Sequence, residues 1–243
     1  TVARDSSGYG NDGMIYGATW VDGKYGKALS FDGVNNYVLL PDSENWNFGP
    51  GDFTIETWVN LDSYSSSLIP ILSWGEGASA SYPLYTNWAI FLKDNKLNFY
   101  RFDRTEIYKS VQWSPSTNVW YHITLVRTGN ALKFFVDGSQ RGTIQDVTSV
   151  SYGPVREESL YIGKFRRGHG EIYDYFNGII DEIYVYNRAL TTEEIKAHYE
   201  GKQPKVTLKK SASPSTIQEG ETTTISIRVE NTGTGDAKAV EVT

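Results

Sequence analysis

Over the first 200 residues, apolar and polar positions alternate with a period of two, in runs of four to nine residues closed by Gly, Asn or Asp. The clearest run is 53–60. Phe53, Ile55, Thr57 and Val59 fall on one face, and Thr54, Glu56, Trp58 and Asn60 on the other. Trp58 makes the second face partly apolar, so the pattern allows a strand covered on both sides as well as one with a single buried face. Similar runs predict strands at 14–21, 27–32, 37–40, 68–75, 88–93, 96–102, 105–111, 119–127, 132–136, 140–144 and 160–164. The connections carry turn chemistry: Asp32-Gly33, Asn35-Asn36, Asp103-Arg104, and Asp137-Gly138. Residues 5–13 (DSSGYGNDG) and the polar, aromatic stretch 166–175 (RRGHGEIYDY) read as loops. Residues 176–201 then combine a strand, with Asp181 set among Ile179, Ile183 and Val185, and one marked helix. Thr191 and Glu194 have capping-box spacing, Leu190 and Ile195 that of a hydrophobic staple, and Gly201 supplies the stop.

Beyond GKQP (201–204) the chain changes character. Residues 203–243 are Thr-rich and alternating, with no Trp, Tyr or Phe. A boundary at about residue 202 follows, since the proline forbids continuation of the helix.

Three blocks carry a resemblance: DSSGYGNDGMIYGATWVDGKYGKALSFDGVNNYVLLPD, FTIETWVN and GIIDEIYVYNRALTTEEI, with KFFVDG between them. Together they resemble the laminin-G-like, or concanavalin A-like, jelly-roll family. The resemblance implies an all-β fold, a sandwich of two antiparallel sheets with one short C-terminal helix, over residues 1–202. The segment IQEGETTTISIRVENTGTGDA resembles the opening strands of Ig-like repeats in surface proteins. An Ig-like unit needs about 100 residues and roughly seven strands. Residues 203–243 therefore read as an incomplete Ig-like β-module or linker, cut short or completed by strand addition from another chain. The start at TVARD without Met and the end within a strand-like run suggest a piece of a longer polypeptide.

Composition narrows the function classes. Seven Trp, 17 Tyr and 10 Phe with 23 Gly suit pleated surfaces and turns. A net charge of −6, with 29 acidic and 23 basic side chains, argues against a nucleic-acid partner and leaves room for a cation. The absence of cysteine excludes disulfides, thiolate nucleophiles and Cys-ligated metals. No apolar run reaches the ~20 residues of a membrane span.

Two kinds of site are candidates. The resemblance implies a structural calcium where the N-terminal loop meets the final strand, with Asp5, Asn11, Asp32 and Asp181 as ligands; the alternative is that these are turn formers and a hydrogen-bonded carboxylate at a bulge. Calcium takes six to eight hard oxygens in flexible geometry, as such loops offer. The second candidate is a carbohydrate face built from aromatic rings and planar polar groups: Trp74, Tyr82, Tyr85, Trp88, Tyr100, Arg101, Tyr173 and Tyr175. The alternative for each of these is core packing. Catalysis has weaker support. Glucan-cleaving relatives use acids spaced as ExDxxE, and Glu56 has no acid two or five residues away. Asp181 and Glu182 are adjacent and would point to opposite faces of a regular strand. His122, His169 and His198 lie in separate contexts, and HExxH, GxSxG and P-loop motifs are absent.

The expectation is a non-catalytic carbohydrate-binding or adhesion module of an extracellular or cell-surface protein, with a glycan partner and calcium as cofactor. The alternative is an assembly domain of a surface layer or filament, pairing with other copies through strand addition. A glycan-cleaving enzyme ranks last.

Overall fold

The computed structural model describes residues 1–64, 67–75, 88–103, 105–147, 159–167, 172–202, 206–213 and 224–231. It divides into two units, Thr1–Leu190 and Thr191–Thr243. The first contains seventeen strands: β1 (Val2–Ala3), β2 (Gly13–Tyr16), β3 (Thr19–Asp22), β4 (Lys27–Asp32), β5 (Tyr37–Leu40), β6 (Phe53–Leu61), β7 (Ile69–Trp74), β8 (Trp88–Lys93), β9 (Lys96–Asp103), β10 (Thr105–Gln112), β11 (Trp120–Thr128), β12 (Ala131–Val136), β13 (Ser139–Asp146), β14 (Leu160–Ile162), β15 (Lys164–Arg167), β16 (Ile172–Tyr175) and β17 (Asn177–Tyr186).

Two antiparallel sheets form the jelly-roll sandwich. The larger has the order β1-β2-β5-β14-β7-β8-β9-β10 and the smaller β13-β12-β11-β6-β17-β4-β3. Between them lies one core, in which Val38, Leu72, Trp74, Trp88, Leu92 and Leu160 of the first sheet meet Phe31, Phe53, Ile55, Val59, Leu125 and Phe134 of the second. Alternation along each strand sends every second side chain inward, the reason a period-two sequence makes this architecture. β6 takes the two-sided option: every residue from Phe53 to Val59 is buried, including Thr54, Glu56 and Trp58 on the face away from the core.

Three boundaries depart from the alternation pattern. The run 14–21 is two strands in different sheets, because Gly17 adopts φ +75° and turns the chain across the sandwich edge. The run 160–164 breaks at Gly163 (φ +76°), which lies against the Phe31 ring. The expected loop 166–175 is largely a hairpin, in which β15 pairs with β16 from Lys164↔Tyr175 to Arg167↔Ile172. Its polar composition conceals it, since it is covered on the outside of the larger sheet and not in the main core.

The second unit holds the predicted helix, α1 (Thr192–Tyr199). Glu194 N–H donates to Thr191 Oγ1 at 3.2 Å and Thr191 N–H to Glu194 Oε2 at 2.8 Å, which completes the capping box. β18 (Val206–Ser213) and β19 (Thr224–Asn231) pair antiparallel along their whole length. No helix among the described residues is long and apolar enough to cross a membrane.

Candidate binding face

On its outward side the larger sheet carries a row of cross-strand neighbours. Met14 pairs with Leu39, Leu39 with Tyr161, Tyr161 with Ser73, Ser73 with Ala89, Ala89 with Tyr100, and Tyr100 with Tyr108. Large side chains stand at the ends and small ones in the middle. The gap over Ser73 and Ala89 is where the β15–β16 hairpin sits, and Ser73 Oγ donates to the Lys164 carbonyl at 2.7 Å.

The two faces of that hairpin meet different parts of the sheet. Phe165 packs on Phe91, 5.7 Å between ring centroids, and on Tyr100 at 6.3 Å, toward β8 and β9. Lys164, on the other face, places Nζ 4.5 Å from the Tyr37 ring and 4.8 Å from Tyr161, over β5 and β14. The hairpin therefore stands on the sheet as a wall. Tyr173 closes the corner, its ring 4.4 Å from Lys164 Nζ, and Arg166 lies 5.9 Å over the same ring. Tyr16 and Tyr37, paired across β2 and β5, stack at 4.6 Å and 10° and extend the floor. Tyr16 is 41% exposed, Tyr37, Arg166, Tyr173 and Tyr175 are half-buried, and Tyr161 and Lys164 are buried. A corner with aromatic floor and wall, planar donors and a seated ammonium is suited to hold a flat, polyhydroxylated ligand.

The structure sorts the carbohydrate candidates. Tyr173 and Tyr175 line the wall, with their rings 6.3 Å apart. Trp74 and Trp88 lie in the core at 2% and 1% exposure and present no surface to a ligand; Trp88 Nε1–H donates to the Trp46 carbonyl at 3.0 Å. Tyr100 is buried beneath Phe165. Arg101 follows it on β9 and is half-buried, facing away from the outward row. Tyr82, Tyr85, Arg104 and His169 lie outside the described residues. Tyr16, Tyr37, Tyr161, Lys164 and Arg166 were not among the candidates, although alternation already sets Tyr37 opposite Val38 and Tyr161 between Leu160 and Ile162.

The three aspartates among the calcium candidates are held by N–H donors. Asp5 accepts from Ser7 N–H and Ser7 Oγ–H at 2.8 Å and from Asn11 N–H at 2.9 Å. Asn11 contributes its backbone N–H to that cradle. Asp32 Oδ1 accepts from the N–H groups of Val34, Asn35 and Asn36. Asp181, 5% exposed, accepts from Tyr25 N–H and Glu182 N–H at 2.9 Å. Among the described residues no three His, Asp or Glu side chains gather, so Asp5, Asp32 and Asp181 do not form one cluster.

The hydrogen bonds from Ser7, its side chain first, hold the Asp5 carboxyl below the usual range. A carboxylate with a lowered folded pKa contributes stability above its unfolded pKa of about 3.9 and loses it as pH falls through the folded value. Asp5→Asn is therefore expected to melt below the unchanged protein at pH 7, with the gap narrowing as the pH falls through the folded value and with EDTA leaving both midpoints unmoved; a midpoint that falls with EDTA and recovers with calcium would place an ion at this loop.

The middle of the smaller sheet's outward side is closed. Glu56 and His122 are buried, with Glu56 Oε1 3.7 Å from His122 Nε2 and accepting from Thr124 Oγ1–H at 3.2 Å. Trp58 lies beside them, 5.1 Å from the His122 ring. The 23–26 turn folds over this row, with Lys24 Nζ 4.6 Å above Trp58 and Tyr25 edge-on to it at 5.8 Å. Burial raises the Asp137 carboxyl beside His122, whose N–H it accepts at 2.9 Å.

A laminin G family model, described as the Concanavalin A-like lectin/glucanases superfamily, matches residues 32–196. No curated protein matches. Among solved structures, the binding domain of Paraclostridial Mosquitocidal Protein 1 is similar at 18% identity and a TM-score of 0.61, over 81% of this chain and 48% of its own. The receptor binding domain of botulinum neurotoxin C/D mosaic serotype gives 14%, 0.61, 82% and 48%. The botulinum neurotoxin serotype G binding domain gives 16%, 0.61, 81% and 48%. The chain thus spans about half the length of these chains, and at such identities the likeness is one of fold.

Proposed function

The chain belongs to the concanavalin A-like lectin/glucanases superfamily, and from that premise we propose that it is a non-catalytic glycan-binding module of an extracellular or cell-surface protein. The observation that carries this reading is the tyrosine corner, where exposed Tyr16 and half-buried Tyr37 and Tyr173 gather, with buried Tyr161, around one ammonium group. Rings take the apolar face of a sugar, and the neighbouring guanidinium and hydroxyls take its hydroxyl groups. Two further facts favour the reading. The structural neighbours are titled binding or receptor binding domains. Glu56, the acid on the central strand of the smaller sheet, is fully enclosed and engaged by Thr124, out of reach of a substrate.

Titration of the protein with a panel of soluble neutral and charged polysaccharides tests the proposal. At least one is expected to bind, with Tyr16→Ala and Tyr173→Ala each weakening it roughly tenfold, as for a buried aromatic anchor. Tyr108→Ala, on the far side of the hairpin and 57% exposed, is expected to leave binding unchanged. Equal losses for all three variants, or no binding across the panel, would remove the corner as a glycan site.

A further inference from the structure

We infer that Ser73 is a positioning residue of this corner, acting not on the ligand but through the hairpin, whose place on the sheet its hydroxyl fixes. The inference rests on the glycan-binding reading for its effect on affinity, and on the fold alone for its effect on the hairpin. Ser73 stands in the middle of the outward row, between Tyr161 and Ala89, and is 2% exposed. Its Oγ–H donates at 2.7 Å to the carbonyl of Lys164, the first residue of β15.

That bond falls where the hairpin leaves the sheet. Gly163 N–H donates to the Ile71 carbonyl, and the Gly163 carbonyl accepts from Phe176 N–H, both at 2.9 Å, so the two ends of the hairpin meet at one residue. These backbone bonds fix the hairpin's base and leave its lean over the sheet to side chains. Ser73 acts one residue further out. Lys164 pairs with Tyr175 and Arg166 with Tyr173, so a bond to the Lys164 carbonyl holds the first rung of the ladder that carries Tyr173. The side chain of Lys164 continues the same seating, since its ammonium covers the faces of Tyr37, Tyr161 and Tyr173 and pins wall to floor. A shift of that first rung therefore displaces Tyr173 as well. Position 73 needs a small residue with a donor: alanine fits but gives the Lys164 carbonyl no hydrogen bond, and a larger side chain meets the strand laid over it.

The test reads the wall and the ligand separately, on the full chain. Protons held over ring faces resonate upfield, so the NMR signals of the Lys164 side-chain methylenes report its seating among the three tyrosines. Ser73→Ala is expected to move those signals toward the values of a solvated lysine. It should also weaken, by about fivefold, the polysaccharide that Tyr16→Ala and Tyr173→Ala weaken, a loss typical of one hydrogen bond. Ser73→Cys, of similar size with a weaker donor, should fall between. Added to Tyr173→Ala, Ser73→Ala should cost little further affinity, because both act through one wall. Thr57→Ala is the control on the smaller sheet. It removes a comparable buried bond, from Thr57 Oγ1–H to the Asp181 carbonyl at 3.0 Å, and should lower the thermal midpoint as Ser73→Ala does while leaving affinity and the Lys164 signals unchanged.

Lys164 signals that stay in place in Ser73→Ala overturn the inference and leave the glycan reading standing. Signals that move while affinity holds also overturn it, since the wall's position then does not matter to the ligand. Losses that add to those of Tyr173→Ala, or that Thr57→Ala matches, would reduce Ser73 to a contributor to general stability. If no polysaccharide binds, the glycan reading falls and the positioning role falls with it, whereas the Lys164 signals still show whether Ser73 seats the wall.

Discussion

Gly178→Ala is expected to leave little folded protein at 37 °C, a loss of about 4 kcal/mol or more against a total stability of roughly 5–15 kcal/mol. Gly178 is in β17, where the strand is hydrogen-bonded on both sides, to Phe31 of β4 and Leu61 of β6. Its φ is +141°, a conformation an L-residue resists. An added Cβ would also penetrate the Asn60 carbonyl oxygen and come within 3.0 Å of Asp62 N and Leu61 Cα. These are backbone atoms of a central strand, so no side-chain rotation relieves the clash. Gly10→Ala provides the comparison: its φ is +76° but a Cβ there meets nothing within 4 Å, and only the local strain of about 1–2 kcal/mol remains. Urea unfolding of the two variants should separate them clearly. Equal midpoints would mean that β17 is not held against β6 in the way its register requires.

Gly178 also marks the limit of what alternation reveals. The run FNGIIDEIYVY identifies a strand, and the apolar spacing gives its inward face. It does not reveal that Gly178 lies against another backbone, because close approach is a tertiary fact with no local periodicity. The same holds at Asp181. The residue is read correctly as a carboxylate interrupting an apolar face near a bulge, and the register does shift between Asp181 and Tyr184, with Glu182 at φ +48°. What it binds, the N–H of Tyr25, lies 156 positions away in sequence. Local chemistry was legible and the partner was not.

The aromatic candidates divide for a related reason. Trp74 and Trp88 are the directly paired ends of β7 and β8 and both face the core, the alternative already open for each aromatic residue. Tyr173 and Tyr175 were found because they lie in a polar stretch with few apolar neighbours. Tyr37 and Tyr161 were passed over because each stands in a short apolar run, where one residue in two faces outward. Lys164 is the least legible of all: a lysine at the end of a strand is ordinarily solvated, and only the fold brings Tyr37, Tyr161 and Tyr173 together around it.

The two sheets use their outward faces differently, and the sizes of the central residues explain this. On the larger sheet Ser73 and Ala89 leave a trough that the β15–β16 hairpin enters, and beyond it Tyr16 is exposed and Tyr37 half-buried. On the smaller sheet the corresponding middle is filled by Trp58, His122, Phe135 and Glu56, all below 4% exposure.

For that reason Glu56→Ala should act on stability and not on binding, at a cost of about 3–5 kcal/mol. The carboxylate is fully buried, accepts from Thr124 and faces His122 across 3.7 Å. Truncation deprives both neighbours of an acceptor in a site water does not enter, and it opens a void beside Trp58. Glu56→Gln keeps the volume and the acceptor for Thr124, so about 1–2 kcal/mol is expected. Replacing the pair together, Glu56→Leu with His122→Leu, should recover much of the loss, since apolar groups of similar size often replace a buried, mutually bonded polar pair at little cost. A double-mutant cycle by urea unfolding measures the coupling directly. Additive losses would show that Glu56 and His122 act independently, and a Glu56→Ala loss below about 1 kcal/mol would contradict the enclosure on which the structural role of this acid depends. In every stable variant the saccharide affinity should match that of the unchanged protein, because the corner of tyrosines is on the other sheet.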